Sequence, residues 1–287
     1  MIEHGGPCVI VTRPARDAAA WVQWLTASGV QAVGLPLIDI LPVDDASLVH
    51  QAWRDLHDYA AVMFVSANAV TGFFESKPLA SQWALTHTTN TTPPRVWATG
   101  PGTVAVLQQS DVPLDGVDAP PPEAAQFDSE ALWQQVSAQV RVGQRVLIVR
   151  GGDAQQTPTA QGVVGGLNVG QDLGAGRDWL AARLRASGVV VDFVVAYRRG
   201  LPCWSSAQVQ RARDAACDGS IWLFSSSEAV ANLRTLVPGQ DWSVARAVAT
   251  HARIAVAARA LGFGVVRESR PMRADMMGSI ESVINER

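Results

Sequence analysis

The apolar positions of this chain fall in short unbroken runs that change abruptly to helical spacing, and one such junction occurs twice. Residues 61 to 73 read AVMFVSANAVTGF and residues 221 to 233 read IWLFSSSEAVANL. Aligned without gaps, they share Phe64 with Phe224, Ser66 with Ser226, Ala69 with Ala229 and Val70 with Val230. Each run is too short for a helix and stops at hydroxyl residues, after which the apolar period lengthens, so each predicts a buried strand leading straight into a helix. Ser225 followed by Glu228 predicts a capping box in the second copy, and Ser66 or Asn68 is the expected cap of the first. The N–H groups at a helix start have no intrahelical partner and lie at the positive end of the dipole, so both junctions favour anions.

The same alternation runs through the rest of the chain. Cys8 to Arg13 reads as a strand, and Pro14 suits the first turn of the helix carrying Ala18, Val22 and Leu25, which stops at Gly29. Val30 to Leu35 is the next predicted strand. The proline-bracketed stretch from Pro36 to Pro42 reads as a connector. After an amphipathic segment from Ser47 to Leu56 comes the first junction, then a polar loop over 76–94, a strand from Arg95 and a turn through Gly100 into a helix near Thr103. Asp128, Ser129 and Glu130 open another helix, and Gln144 to Arg150 is a strand that Gly151, Gly152 and Asp153 leave. Residues 154–176 are Gln-, Thr- and Gly-rich and aperiodic, which predicts a mobile insertion. A helix then ends at Gly188, a strand spans Val189 to Tyr197, and a helix from Ser206 precedes the second junction. A strand near Ala247, a helix through Ala257 and a last helix from Ala274 complete the expected elements.

Two further stretches echo one another: LTASGV at 25–30 with LRASGV at 184–189, and WAT at 97–99 with VAT at 248–250. Three matched stretches in the same order indicate an internal duplication. Alternating strands and helices imply parallel sheets covered on both faces, so the expected fold is α/β, with two similar doubly wound, flavodoxin-like domains whose ligands lie at the carboxyl ends of the strands.

Composition narrows the function. With 287 residues, 48% hydrophobic and 17% charged, the chain has room for two globular domains. A net charge of −3 argues against a nucleic-acid partner. Cys8, Cys203 and Cys217 form no metal-ligand spacing. The expected setting is a reducing, cytoplasmic one, with neither a signal peptide nor a membrane span. The Gly100–Thr103 turn lacks dinucleotide-loop spacing, so no cofactor is expected, and no metal.

The ordered motifs resemble those of the uroporphyrinogen-III synthase family. Val11-Thr12-Arg13-Pro14 is similar to the family's opening, Phe64 to Val70 to its TS-x-NAV segment, and Gly100, Thr103 and Leu107 to its Gly-x-x-Thr-x-x-x-Leu turn. Val149-Arg150-Gly151, Tyr197-Arg198-Arg199, Ser226 to Val230 and Arg253-Ile254-Ala255 follow in family order. One departure is the insertion between Arg150-Gly151 and Gly176-Arg177. The resemblance implies a discontinuous first domain (1–39 and 198–287), a second domain over 43–194, and two hinge strands at about 37–41 and 195–199. It also implies a monomeric, cofactor-free lyase acting on hydroxymethylbilane, a linear tetrapyrrole with eight carboxylates, which it closes with loss of water and inversion of ring D.

Under that resemblance Tyr197 is the candidate catalytic residue, its phenol donating to the departing hydroxyl. The substrate-binding candidates are Arg13, Ser66, Asn68, Thr103, Ser129, Arg150, Ser226 and Ser227. Arg13 and Arg150 are expected at strand ends, where each could equally serve a structural ion pair. Each serine also reads as a helix cap, worth about 1 kcal/mol. Thr103 reads more readily as a cap than as a catalytic group, His251 as a loop histidine, and Tyr197 equally as a packed hinge residue. Two rival readings are a two-lobed module that binds an anionic ligand without catalysis and a nucleotide-sugar transferase, for which no acidic metal ligands stand out.

Overall fold

A computed structural model describes residues 7–79, 93–153 and 175–286. Most of the predicted insertion, up to residue 174, and most of the predicted 76–94 loop lie outside the described residues. In chain order the strands are β1 (Val9–Val11), β2 (Ala32–Gly34), β3 (Asp39–Leu41), β4 (Ala61–Phe64), β5 (Arg95–Ala98), β6 (Val117–Asp118), β7 (Arg145–Asp153), β8 (Val190–Gly200), β9 (Ile221–Phe224), β10 (Arg246–Ala249) and β11 (Val265–Glu268). The helices are α1 (Ala15–Ala27), α2 (Ser47–Arg54), α3 (Ala67–Glu75), α4 (Pro101–Gln109), α5 (Ser129–Val136), α6 (Ala175–Ala186), α7 (Ser206–Ala215), α8 (Ser227–Leu236), α9 (Ala252–Leu261) and α10 (Arg273–Asn285). None of the described helices is long and apolar enough to cross a membrane.

The chain divides into two compact units, one of residues 1–39 with 200–287 and the other of residues 40–199. The first unit holds a five-stranded sheet in the order β11-β10-β9-β1-β2, with parallel pairing throughout. Its inner strands β1, β9 and β10 are apolar on both faces, as a sheet covered on both sides requires. Val9, Val11, Ile221, Leu223 and Val248 pack with Leu25 of α1 and with Met276, Ile280 and Val283 of α10. On alternate positions, Trp222 and Phe224 meet Phe263 edge-on at 6.1 and 5.4 Å, and Trp242 stacks on Phe263 at 5.1 Å. β11 escaped the sequence pattern because only Val265 and Val266 are apolar; Arg267 and Glu268 are exposed at the sheet edge.

The second unit holds a six-stranded sheet in the order β3-β8-β7-β4-β5-β6. The two segments expected as hinge strands fall on β3 and β8, neighbours at its edge. β4 is fully buried, Phe64 meets Phe73 edge-on at 5.6 Å, and Trp53 stacks on Phe73 at 4.7 Å while donating its indole N–H to the Phe73 carbonyl. Each such aromatic stabilises the unit by roughly 1.5–3 kcal/mol through burial.

Numbered by topological role, both sheets have the doubly wound order 2-1-3-4-5: β2, β1, β9, β10, β11 in one and β8, β7, β4, β5, β6 in the other. The matched sequence stretches follow the same roles. Leu25–Val30 leads into β2 and its echo Leu184–Val189 into β8, whereas the junction after β4 belongs to the second unit and its echo after β9 to the first. Each unit is therefore assembled from one part of each sequence copy.

Candidate functional site

In the second unit, β4 delivers Ser66 to the start of α3. Ser66 is the cap: its backbone is extended and its Oγ accepts the Ala69 N–H at 3.2 Å. This decides between the two expected caps, and among the described residues the Asn68 carboxamide makes no hydrogen bond. The N–H groups of Ala67 and Asn68, in the first turn, lack intrahelical acceptors. The Tyr197 hydroxyl lies 3.2 Å from Ser66 Oγ, and Tyr197 is only 4% exposed. When the serine donates to the phenol oxygen, the phenol proton remains free for a ligand.

Thr103 is not a cap, contrary to expectation. Gly100 holds the cap position of α4 without a side-chain bond, because the chain stays extended through Gly100 and enters the helix at Pro101. Thr103 lies in the first turn, 5% exposed. Ser129 is likewise inside its helix; the carboxylate of Asp128 caps α5 by accepting the Ala131 N–H at 2.9 Å. Asp128 was readable from the preference of Asp for that position.

Arg150 corrects another expectation. It does not end its strand, because Gly151, Gly152 and Asp153 continue β7 by pairing with Tyr197, Arg198 and Arg199. Its guanidinium sits over the Phe193 ring at 5.1 Å, with that of Arg185 at 5.4 Å from the same ring, and the residue is 7% exposed.

In the first unit the carboxyl ends of β1, β9 and β10 lie side by side. The predicted Ser225–Glu228 capping box does not form, since Ser225 is still outside the helix. Ser226 is the cap, accepting the Glu228 N–H at 3.1 Å. Ser227 is the first residue of α8, and its buried Oγ has no hydrogen-bond partner among the described residues. Thr12, after β1, donates to the Leu223 carbonyl at 2.7 Å and ties two strand ends together. Arg13 lies over the Trp21 ring at 4.5 Å. Burial pulls its guanidinium below the ordinary value, opposed by Asp17; burial raises the Asp17 carboxyl, opposed first by Arg13 and then by Arg16. His251 is no idle loop residue: its Nδ1 caps α9 by accepting the Arg253 N–H at 3.1 Å.

Of the predicted residues, then, Ser66 and Tyr197 are brought into direct contact, with Asn68 two residues on in the first turn of α3; Ser226 and Ser227 share a helix start, and Arg13 follows the neighbouring strand β1. Among the described residues no group of three or more His, Cys, Asp or Glu side chains is placed to hold a metal ion.

This is an α/β protein of two flavodoxin-like parallel sheets, in each of which one strand end opens into a serine-capped helix. The sequence model of the family described as uroporphyrinogen-III synthase HemD matches residues 19–160. A uroporphyrinogen-III synthase from Chlorobaculum parvum is 32% identical over 145 residues, covering 50% of this chain and 52% of that protein, so the chain spans about half the length of that curated relative in the match. Among solved structures, a mutant uroporphyrinogen III synthase from the extremely thermophilic bacterium Thermus thermophilus superposes with a TM-score of 0.53 at 15% identity, covering 98% of this chain and 100% of that one. The uroporphyrinogen-III synthetase from Helicobacter pylori gives 0.53 at 14% identity, covering 96% and 99%. These two likenesses concern the fold. Over residues 19–160, just under half of its length, the chain is similar to the uroporphyrinogen-III synthase family.

Proposed function

We propose that this chain catalyses the uroporphyrinogen-III synthase reaction on hydroxymethylbilane, as a monomer, in the cytoplasm and without a cofactor. The observation that carries the reading is the Tyr197 hydroxyl held against Ser66 at the open start of α3, in a chain whose residues 19–160 match that family's sequence model. In the reaction the terminal C–O bond breaks as the adjacent pyrrole nitrogen supplies its electron pair. The oxygen leaves as water, taking up a proton, and the pyrrole N–H proton is lost to leave an azafulvene. Ring D attacks that methylene through its already substituted carbon to form a spiro intermediate, which fragments and recloses with ring D inverted.

Tyr197 assists the first step by donating a hydrogen bond to the departing oxygen, where negative charge develops. Its burial keeps bulk water from competing for the phenol.

With a net charge of −3, overall attraction of a polyacid is not the binding force. We assign its carboxylates to unfilled N–H groups near Ser66, Asn68, Thr103 and Ser129 in one unit and near Ser226 and Ser227 in the other, helped by Arg150 and Arg13. The protein's main contribution is then geometric, because the bilane closes unaided to the uninverted isomer.

The test supplies freshly made hydroxymethylbilane, oxidises the product and separates the isomers. The type III porphyrin is expected in excess over a protein-free control. Type I alone, with the bilane retained by the protein, would instead establish a binding module.

A further inference from the structure

Tyr197 reaches Ser66 only because β8 is irregular. Arg150 pairs with Val195, but the next residue, Gly151, pairs with Tyr197, so Ala196 is an extra residue in β8. In a regular strand Val195 and Tyr197 would share a face. Here a side chain on Gly152 would meet Val195 Cγ1 at 3.0 Å, whereas one on its neighbour Gly151 would run into the Tyr197 ring, 2.7 Å from Cε2 and 2.8 Å from the hydroxyl oxygen. Neighbouring strand positions point to opposite faces, so the extra residue has moved Tyr197 to the face away from Val195.

Two glycines accept the consequences. The Tyr197 ring crosses the bare Cα of Gly151. On α3, Gly72 lies so close to the bulge that a Cβ there would overlap the Ala196 carbonyl and come within 3.3 Å of Tyr197 Cβ. Ser66, at the start of that same helix, meets the hydroxyl at the far end of the ring.

We propose that Gly151, Gly72 and the bulge at Ala196 form a positioning device that sets the Tyr197 hydroxyl on Ser66. Gly151 is a positioning residue for the reaction, acting through Tyr197. This rests on the assignment of Tyr197 as hydrogen-bond donor. The two glycines differ in what they oppose. A methyl group at 72 collides with backbone and strains the fold, whereas one at 151 collides with the end of a side chain that can rotate away. Gly151→Ala therefore leaves the fold intact and displaces the hydroxyl.

The chain has two tyrosines, which makes the displacement directly visible. Protein labelled at tyrosine Cζ with carbon-13 gives one resonance for Tyr197 and one for Tyr59, assigned with Tyr59→Phe. In Gly151→Ala the Tyr197 resonance is expected to move while that of Tyr59 stays. Turnover should fall on the order of 10- to 100-fold with KM nearly unchanged, and adding Gly151→Ala to Tyr197→Phe should slow that variant no further. An unmoved Tyr197 resonance overturns the device by itself. So does a moved resonance in a variant that turns over at the wild-type rate while Tyr197→Phe is slow. Full activity in Tyr197→Phe alone would remove the phenol from the reaction, and the positioning role with it, a failure read in a different variant.

Discussion

The starts of α3 and α8 come from the same repeated stretch, and a serine caps each of them, yet only one meets a second functional side chain. Ser66 caps through the Ala69 N–H and also touches Tyr197, whereas Ser226 caps through Glu228, beside a Ser227 hydroxyl with no partner among the described residues. The difference lies two strands away in each sheet. β2 and β8 hold the same place in their sheets, but β2 has 3 residues and β8 has 11. The longer strand runs on past the level at which β4 ends, still paired with β7, and brings a tyrosine with it. A duplicated junction thus supplies an anion-friendly helix start twice, and the length of β8 together with its bulge decides which copy receives a proton donor.

The largest expected effect that would break this asymmetry is on turnover. Tyr197→Phe should lower kcat on the order of 100-fold with the melting temperature nearly unchanged, since a ring of the same shape remains; an unchanged rate would make the two junctions equivalent.

Next comes stability at the opposite, amino-terminal ends of the sheets. In the second unit Asp192 accepts from Arg145 at 2.7 Å, with the Arg145 guanidinium 4.8 Å over the Tyr59 ring and Asp58 at 3.5 Å. Burial, and then the Asp192 charge, push the Tyr59 phenol well above its ordinary value. Asp192→Ala should cost about 2 kcal/mol in chemical denaturation, less than a wholly buried pair because Asp58 remains near the arginine, which is partly exposed.

Smaller is the pair of caps. Ser66→Ala and Ser226→Ala should each cost about 1 kcal/mol of stability, but Ser66→Ala alone should also slow turnover, because it alone frees Tyr197. Equal kinetic losses would mean that both serines act on the substrate.

Smallest is a pH effect in the first unit, where Ser220 and Arg211 each bond Asp218 at 2.8 Å. Burial raises this carboxyl, but the Ser220 bonds and the Arg211 charge outweigh it and hold it below the ordinary value. The stability it contributes is therefore present above the unfolded value near pH 4 and is lost as pH falls through the folded one. Asp218→Asn should flatten the acid side of the melting-temperature profile slightly; an identical profile would show that this carboxyl carries no folding-linked proton.

Local chemistry made much of this legible in the linear chain. Apolar runs changing period after Phe64 and Phe224 mark strand-to-helix junctions, because burial on both sheet faces and helical spacing leave different imprints. Repetition at 25–30 and 184–189 marked two related units. Features written in polar residues were less visible, such as β11, whose strand character comes from its neighbour β10. The caps lie one residue from the expected Ser225 and three from the expected Thr103, because the extended backbone at Ser226 and Gly100 depends on where the sheet ends.

What no local pattern contains is the meeting of Ser66 with Tyr197, 131 positions apart. Strand periodicity alone assigns Tyr197 to the Val195 face. Only the pairing of β7 with β8 reverses this, because inserting one residue against a partner strand inverts every side chain beyond it, and that partner is chosen by the packed sheet. Hydrophobic burial and backbone chemistry, both local, therefore specified the elements and their helix starts, and the register between distant strands decided which groups could act together.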